Sequence, residues 1–242
     1  MGLSPSRPFL TAEWRHLVIL NYEVPPSSLL DLVPSGTELD SFEGRAFLSL
    51  VGFLFEKTRV LGVPVPLHRR FEEVNLRFYV RRAGREGDRR GVVFVKEIVP
   101  RRAVAFLARA LYGENYVALP MSHRIEPERE GPRSVAYCWS FEGRTESLSL
   151  AGISAPRSLA PGSEEEFIAE HYFGYTRLSA TRSVEYAVEH PPWRVASALD
   201  AVVDCNVSRL YGGRFAAWIR GRPHSAFWAE GSPVRVFPGV SL

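Results

Sequence analysis

Four polar side chains alternate along one short stretch of this chain: Glu73, Asn75, Arg77 and Tyr79, interleaved with Val74, Leu76, Phe78 and Val80. A period of two is that of a β-strand, so the polar four share one face and the apolar four the other. A carboxyl, an amide, a guanidinium and a phenol in one row could grip a small polar molecule. If the row lined a cavity, Glu73 would act as acid or base, and either Arg77 or Arg15 would hold a carboxylate or enolate-like group with two parallel hydrogen bonds. The same row also fits a solvent face. Asn is disfavoured in exposed strands, yet pattern alone leaves solvent face and cavity wall both open.

Amine chemistry has few places to reside. Two lysines, Lys57 and Lys96, stand against 28 arginines, and a guanidinium does not lose the proton that a Schiff-base nucleophile must lose. Strict alternation predicts Lys96 on one face with Val92, Phe94 and Ile98, where burial would lower its pKa. A lysine that snorkels past apolar neighbours is the simpler expectation. Lys57 ends an apolar strand and is expected at the surface. The chain has no GxSxG, HExxH, CxxC, P-loop or GxGxxG, and its six histidines are scattered, so no metal and no cofactor is expected. His190, before Pro191-Pro192-Trp193, could act as a base or simply end a strand.

The elements that must position these residues read mostly as strands. Ala46 to Phe55 is almost continuously apolar, as in a strand buried on both faces. Leu17 to Val24, Glu73 to Val80, Val92 to Val99, Val117 to Ile125, Ser134 to Phe141, Glu146 to Ile153 and Ser183 to His190 complete the predicted strands. Helices are expected over Ser27 to Val33, from Pro100 to the stop at Gly113, from Ser163 to about Tyr172 behind a capping box, and over Val202 to Leu210.

At 242 residues with 45% hydrophobic content the chain can bury one full core, and the absence of repeats and long linkers predicts a single domain over 1–242. Arginines gather at Arg81, Arg82, Arg85, Arg89 and Arg90, but Glu86 and Asp88 are interspersed and the net charge is only +3. A solvated hairpin turn is expected there, not a nucleic-acid partner. No apolar run has the length of a membrane span, the N-terminus lacks a signal core, and Cys138 and Cys205 have no metal-type spacing. No membrane partner and a cytoplasmic location are therefore expected; a homo-oligomer is left open.

The segments Trp14 to Tyr22, Leu32-Val33-Pro34, Phe71 to Val80 and Arg101 to Tyr112 resemble, in order and spacing, the acetoacetate decarboxylase-like superfamily. Tyr137-x-Trp139 and His190-Pro191-x-Trp193 are similar, more narrowly, to domain-of-unknown-function family 2071. The resemblance implies an α+β, mainly antiparallel fold: a bent sheet closed into a cone-like barrel around a central cavity, with a few short helices. It also implies that Arg15 and Glu73 line that cavity. The superfamily's lysine nucleophile falls in Leu111 to Val117, where this chain has Asn115 and Tyr116 and no lysine. A second family acid, on the long apolar strand, is replaced by residues such as Phe47 to Ser49.

The resulting expectation is a cavity with Glu73 and Tyr116 as catalytic groups and Arg15, Asn75, Arg77 and Tyr79 binding the ligand. That ligand would be a small carbonyl- or carboxylate-bearing metabolite, turned over by a lysine-independent lyase or isomerase-like enzyme. The alternative is a non-catalytic ligand sensor or a structural protein with a buried polar network.

Overall fold

The computed structural model describes residues 7–64, 66, 68–84, 87–106, 113–129 and 131–242. Among them sixteen strands join in one hydrogen-bonded sheet. They are β1 (Leu10–Val24), β2 (Glu38–Leu39), β3 (Ala46–Val60), β4 (Val63–Pro64), β5 (Phe71–Gly84), β6 (Gly87–Val99), β7 (Tyr116–Ala118) and β8 (Met121–Glu128). The second half of the chain adds β9 (Gly131–Phe141), β10 (Arg144–Ile153), β11 (Arg157–Ser158), β12 (Phe173–Arg177), β13 (Ser183–Glu189), β14 (Arg194–Asp204), β15 (Ser225–Val236) and β16 (Val240–Ser241).

Seven of these strands run side by side in the order β13-β12-β6-β5-β3-β1-β15. The pairs Val188↔Val236 and Glu189↔Arg235 then join β15 back to β13 and close a ring. Most neighbours are antiparallel, although β6 pairs in parallel with β12 and β7. The other end of β15 pairs with β14, which leads on to β10, β9 and β8 as an outer flank.

The alternation of β5 explains why two cores form. Val74, Leu76, Phe78 and Val80 face outward into a cluster with Tyr137, Trp139, Leu148 and Leu150 of the flank. The inward set includes Leu17, Ile19, Phe47, Val51, Phe53, Phe71, Trp193 and Phe227. Strand β3 is buried on both faces over its first ten residues because it lies between ring interior and flank.

The short helices differ from the sequence expectations in identifiable ways. Pro25 and Pro26 restrict the segment after β1 to two 3-10 turns, Pro26–Ser28 and Leu30–Leu32. Val202 and Val203, expected in a helix, lie in β14 opposite Ser149 and Leu148, as suits β-branched residues; only Val207–Leu210 is helical. Strand β15 has no counterpart among the sequence expectations. Ser163 does cap Glu164–Ala169, accepting from the Glu166 amide at 3.1 Å. Residues 102–106 are helical, and the rest of that expected helix, 107–112, lies outside the described residues, as do Arg85 and Glu86. No helix among the described residues is long and apolar enough to cross a membrane.

Candidate functional site

Two breaks in strand alternation determine what the ring interior contains. On β6 the register shifts so that Arg77 opposes Phe94 while Leu76 opposes Lys96, leaving Val95 as an extra residue. Val92, Phe94 and Glu97 therefore face inward. Lys96 points the other way, with its Nζ donating to the Leu210 carbonyl. On β1 a second shift falls between Arg15 and Val18, with His16 at φ 55°. Gly231 makes this bulge possible: a Cβ there would lie 2.0 Å from the Trp14 carbonyl oxygen. Trp14 and Leu17 both turn inward as a result.

The interior holds a cavity of about 190 Å³. Most of its wall is aromatic and aliphatic, with Trp14, Phe53, Phe55, Phe71, Phe94 and Trp193 forming a belt. Phe55 stacks on Phe71 at 4.6 Å and Trp14 meets Phe53 edge-on at 5.4 Å. The wall runs out to half-buried Phe9, His68 and Val236.

Against this apolar belt stands a compact polar group. Glu73, Asn75 and Arg77 reach the cavity from β5, Glu97 from β6, Glu114 from the turn before β7, and Tyr116 from β7. Asn75 donates to Glu73 Oε1 at 3.0 Å and the Tyr116 hydroxyl to Glu73 Oε2 at 3.1 Å. Burial still outweighs these bonds and the nearby Arg77 charge, lifting the Glu73 carboxyl to about 7. Burial also lifts Glu114 to about 7, although it accepts from Thr176 at 2.6 Å and Tyr186 at 3.1 Å. Glu97 is raised further by burial and by the charges of Glu114 and Glu73. Its Oε2 has no partner among the described residues.

Arg77 is 8% exposed and spends one terminal nitrogen on the Ile168 carbonyl at 3.3 Å, while its Nε has no acceptor. It forms no direct ion pair among the described residues. His171 is buried beside it with both ring nitrogens unpartnered, packed on the Tyr79 ring at 4.7 Å. Burial and the charges of Arg90 and Arg77 hold it well below 6.5, so its imidazole is neutral. His190 ends its strand with Nδ1 at 3.0 Å from the Pro191 carbonyl, sandwiched between Trp193 and Tyr172 at 4.5 and 4.9 Å.

Of the residues singled out in the sequence, Glu73, Asn75, Arg77 and Tyr116 come together on this wall. Tyr79 shares their face but does not line the cavity. Its hydroxyl donates to Ser49 at 2.6 Å, opening a buried chain in which Ser49 donates to Asn21 at 2.6 Å and Asn21 to Ser225 at 2.9 Å, with Ser225 donating to Glu164 at 2.5 Å. Arg15 lies outside the ring, bound to Glu13 at 2.7 Å, because Trp14 takes the inward position beside it. The expected Arg15–Glu73 pair is therefore absent. Lys57 pairs with the same Glu13 at 2.6 Å. Arg82 and Arg89 of the arginine cluster are bound to Glu185 and Arg90 to Asp40. Sequence reasoning missed Glu97 because the bulge reverses the parity of β6, and missed Glu114, Tyr186 and His171 because they converge from separate elements. An acid inside the apolar run Val92 to Val99 was the one available signal for Glu97.

A ring of strands around such a cavity defines an acetoacetate decarboxylase-like fold. The chain superposes on acetoacetate decarboxylase from Legionella pneumophila with a TM-score of 0.68 at 11% identity, over 100% of this chain and 90% of that one. It superposes on the enduracididine biosynthesis enzyme MppR complexed with pyruvate at 0.67 and 14% identity, over 99% and 91%. An acetoacetate decarboxylase-like enzyme from Sphingomonas wittichii RW1 gives 0.66 at 14% identity, over 99% and 96%. Residues 11–233 match the profile of an uncharacterized conserved protein family, domain of unknown function 2071, and the chain belongs to that family. The uncharacterized protein YqjF of Bacillus subtilis (strain 168) is 29% identical over 189 residues, 76% of this chain and 74% of its own length.

Proposed function

We propose that this chain, as one cytoplasmic domain, binds a small carbonyl- or carboxylate-bearing metabolite inside the ring and moves a proton on it without a lysine, as an isomerase or lyase would. One observation carries the reading: a buried arginine without an ion-pair partner among the described residues and a desolvated carboxyl stand four residues apart on β5 and face the same cavity. A guanidinium taken out of water without a counter-ion is costly, and a ligand carboxylate would relieve that cost through the unused Nε. A carboxyl lifted to about 7 has both protonation states populated near neutral pH, as a general base and its conjugate acid require. Glu73 would take a proton from the carbon beside the carbonyl. The C–H electron pair would move onto the carbonyl oxygen as an enolate, and the proton would return from Glu73 to carbon. Tyr116, donating to Glu73 at 3.1 Å, would orient the carboxyl.

A purely structural network would be closed and fully paired. That description fits the chain from Tyr79 to Glu164, whereas Arg77, Asn75 and Glu97 each keep a buried atom without a partner. The test is solvent deuterium exchange into a short 2-oxo acid such as 2-oxobutanoate, followed by NMR. Exchange at the carbon beside the carbonyl should fall by about 100-fold or more in Glu73→Gln, and calorimetric binding of the acid should be lost in Arg77→Met. Exchange that is absent in the wild type, or undiminished in Glu73→Gln, removes the catalytic reading.

A further inference from the structure

The proposed reading uses Glu73 and Arg77 and leaves two buried carboxyls on the same wall, Glu97 and Glu114, without a task. Glu97 is 2% exposed and Glu114 5%. Carboxyls are seldom buried without a partner, since desolvating the charged form is costly. Glu114 has donors in Thr176 and Tyr186. Glu97 shares its donor: the Tyr116 hydroxyl hydrogen-bonds to it as well as to Glu73, with one proton between the two carboxyls, and its Oε2 has no partner among the described residues.

Asn75 adds an independent observation. Its amide nitrogen is fixed on Glu73, so its Oδ1 is an acceptor, and this buried oxygen has no partner either among the described residues. Asn75 lies directly opposite Glu97 across the β5–β6 ladder, and both line the cavity. Among the described residues, the hydroxyl protons of Tyr116, Thr176 and Tyr186 all point at carboxyls. This pole of the cavity therefore offers acceptors, and negative charge once its carboxyls ionise. No group of three carboxyl, imidazole or thiol side chains among the described residues converges in a way that could hold a metal ion. An organic N–H donor, which takes several acceptors spread over its surface, suits the arrangement better.

Building on the carboxylate site at Arg77, we propose that the ligand also carries a basic nitrogen, an ammonium or a guanidinium, seated between Glu97, Glu114 and the Asn75 carbonyl oxygen. Asn75 and Arg77 are two residues apart on an extended strand, roughly 7 Å, so the two charges of the ligand would be separated by a short aliphatic chain. The aromatic belt covers that chain. Among the described residues, the titratable groups acting on Glu97 are Glu73 from β5 and Glu114 and Tyr116 from the segment entering β7; Arg77 of β5 and Tyr186 of β13 line the same cavity. Arg77 is the one fixed cation among them, and the ligand nitrogen would be the second.

Calorimetric titration of the full chain with 5-aminopentanoate, 4-guanidinobutyrate and pentanoate, at pH 6 and pH 8, tests this. A cation is held by ionised carboxylates, and Glu114 and Glu73 ionise at about 7. The nitrogen-bearing acids should therefore bind more tightly at pH 8 than at pH 6, and exceed pentanoate there by about tenfold or more. The bound nitrogen would itself favour the ionised form of Glu97, so Glu97→Gln should abolish that advantage, with pentanoate, which carries no nitrogen, as the control. Equal affinity for all three acids, or affinity that falls as pH rises, overturns the nitrogen site and leaves the carboxylate site standing. Absence of binding by every acid overturns both. The pH comparison uses the wild-type chain and holds even if Glu97→Gln fails to fold.

Discussion

Replacing Glu73 by glutamine should stabilise this protein at alkaline pH and not at acidic pH. The carboxyl titrates at about 7 in the folded chain instead of 4.5. Below about 4.5 both folded and unfolded chains hold the proton, and the group contributes nothing to the difference. Between 4.5 and 7 the unfolded chain releases its proton while the folded chain keeps it, so stability falls as pH rises. Above 7 the loss is complete and amounts to about 3 kcal/mol, this being the cost of keeping the ionised form out of water. The glutamine side chain would retain the Asn75 bond through its carbonyl oxygen and lose the donation from Tyr116, a loss of about 1 kcal/mol. The variant should thus be about 1 kcal/mol less stable than wild type at acidic pH, below about 4.5, and about 2 kcal/mol more stable at pH 8. Urea denaturation at the two pH values, with matched slopes, measures both differences. A variant destabilised equally at both would refute the desolvation of Glu73, and with it the reason for calling this carboxyl an acid–base group. A gain in stability accompanied by loss of deuterium exchange is the pattern expected where a strained group is kept for function.

Arg15→Ala should cost under about 1 kcal/mol in the same melts, because the pair with Glu13 is partly exposed, and should be additive with Glu73→Gln since the two lie on opposite sides of the sheet; coupling between them would contradict the outward placement of Arg15. Gly174→Ala should lower stability by about 1–3 kcal/mol, because the new Cβ would meet the Tyr186 ring at 2.1 Å and drive it from Glu114; an unchanged melting temperature would show that the ring does not pack there. Borohydride reduction in the presence of acetoacetate should leave no secondary-amine adduct inside the ring, as peptide mass mapping would show; an adduct on Lys96 would mean that its amine reaches the cavity.

The parts of the fold legible in the sequence are those where one physical rule acts alone. The run Ala46 to Phe55 reads as a strand buried on both faces, and the Glu73–Val80 alternation fixed which side chains travel together. What escaped depends on distant partners or on parity. Strand β14 continues through Val203 because β10 lies alongside it, and the ring closes through residues as far apart as Val188 and Val236, which no local pattern announces. Half of the candidate site follows from β5. The other half needed the β6 bulge to turn Glu97 inward, and the turn after 113 to bring Glu114 and Tyr116 beside it.

That bulge sets the sign of the charge on the cavity wall. Lys96 and Glu97 are consecutive, and side chains alternate along a strand, so whichever of them lies inside excludes the other. With the unpaired residue at Val95, before the lysine, the wall carries a carboxyl. Were the unpaired residue to fall just after Glu97, the neighbouring ladder could keep its pairing while an amine replaced the acid inside the ring. One dipeptide therefore encodes two opposite charges at a single point of the wall, and the place of the irregularity decides which of them the cavity presents.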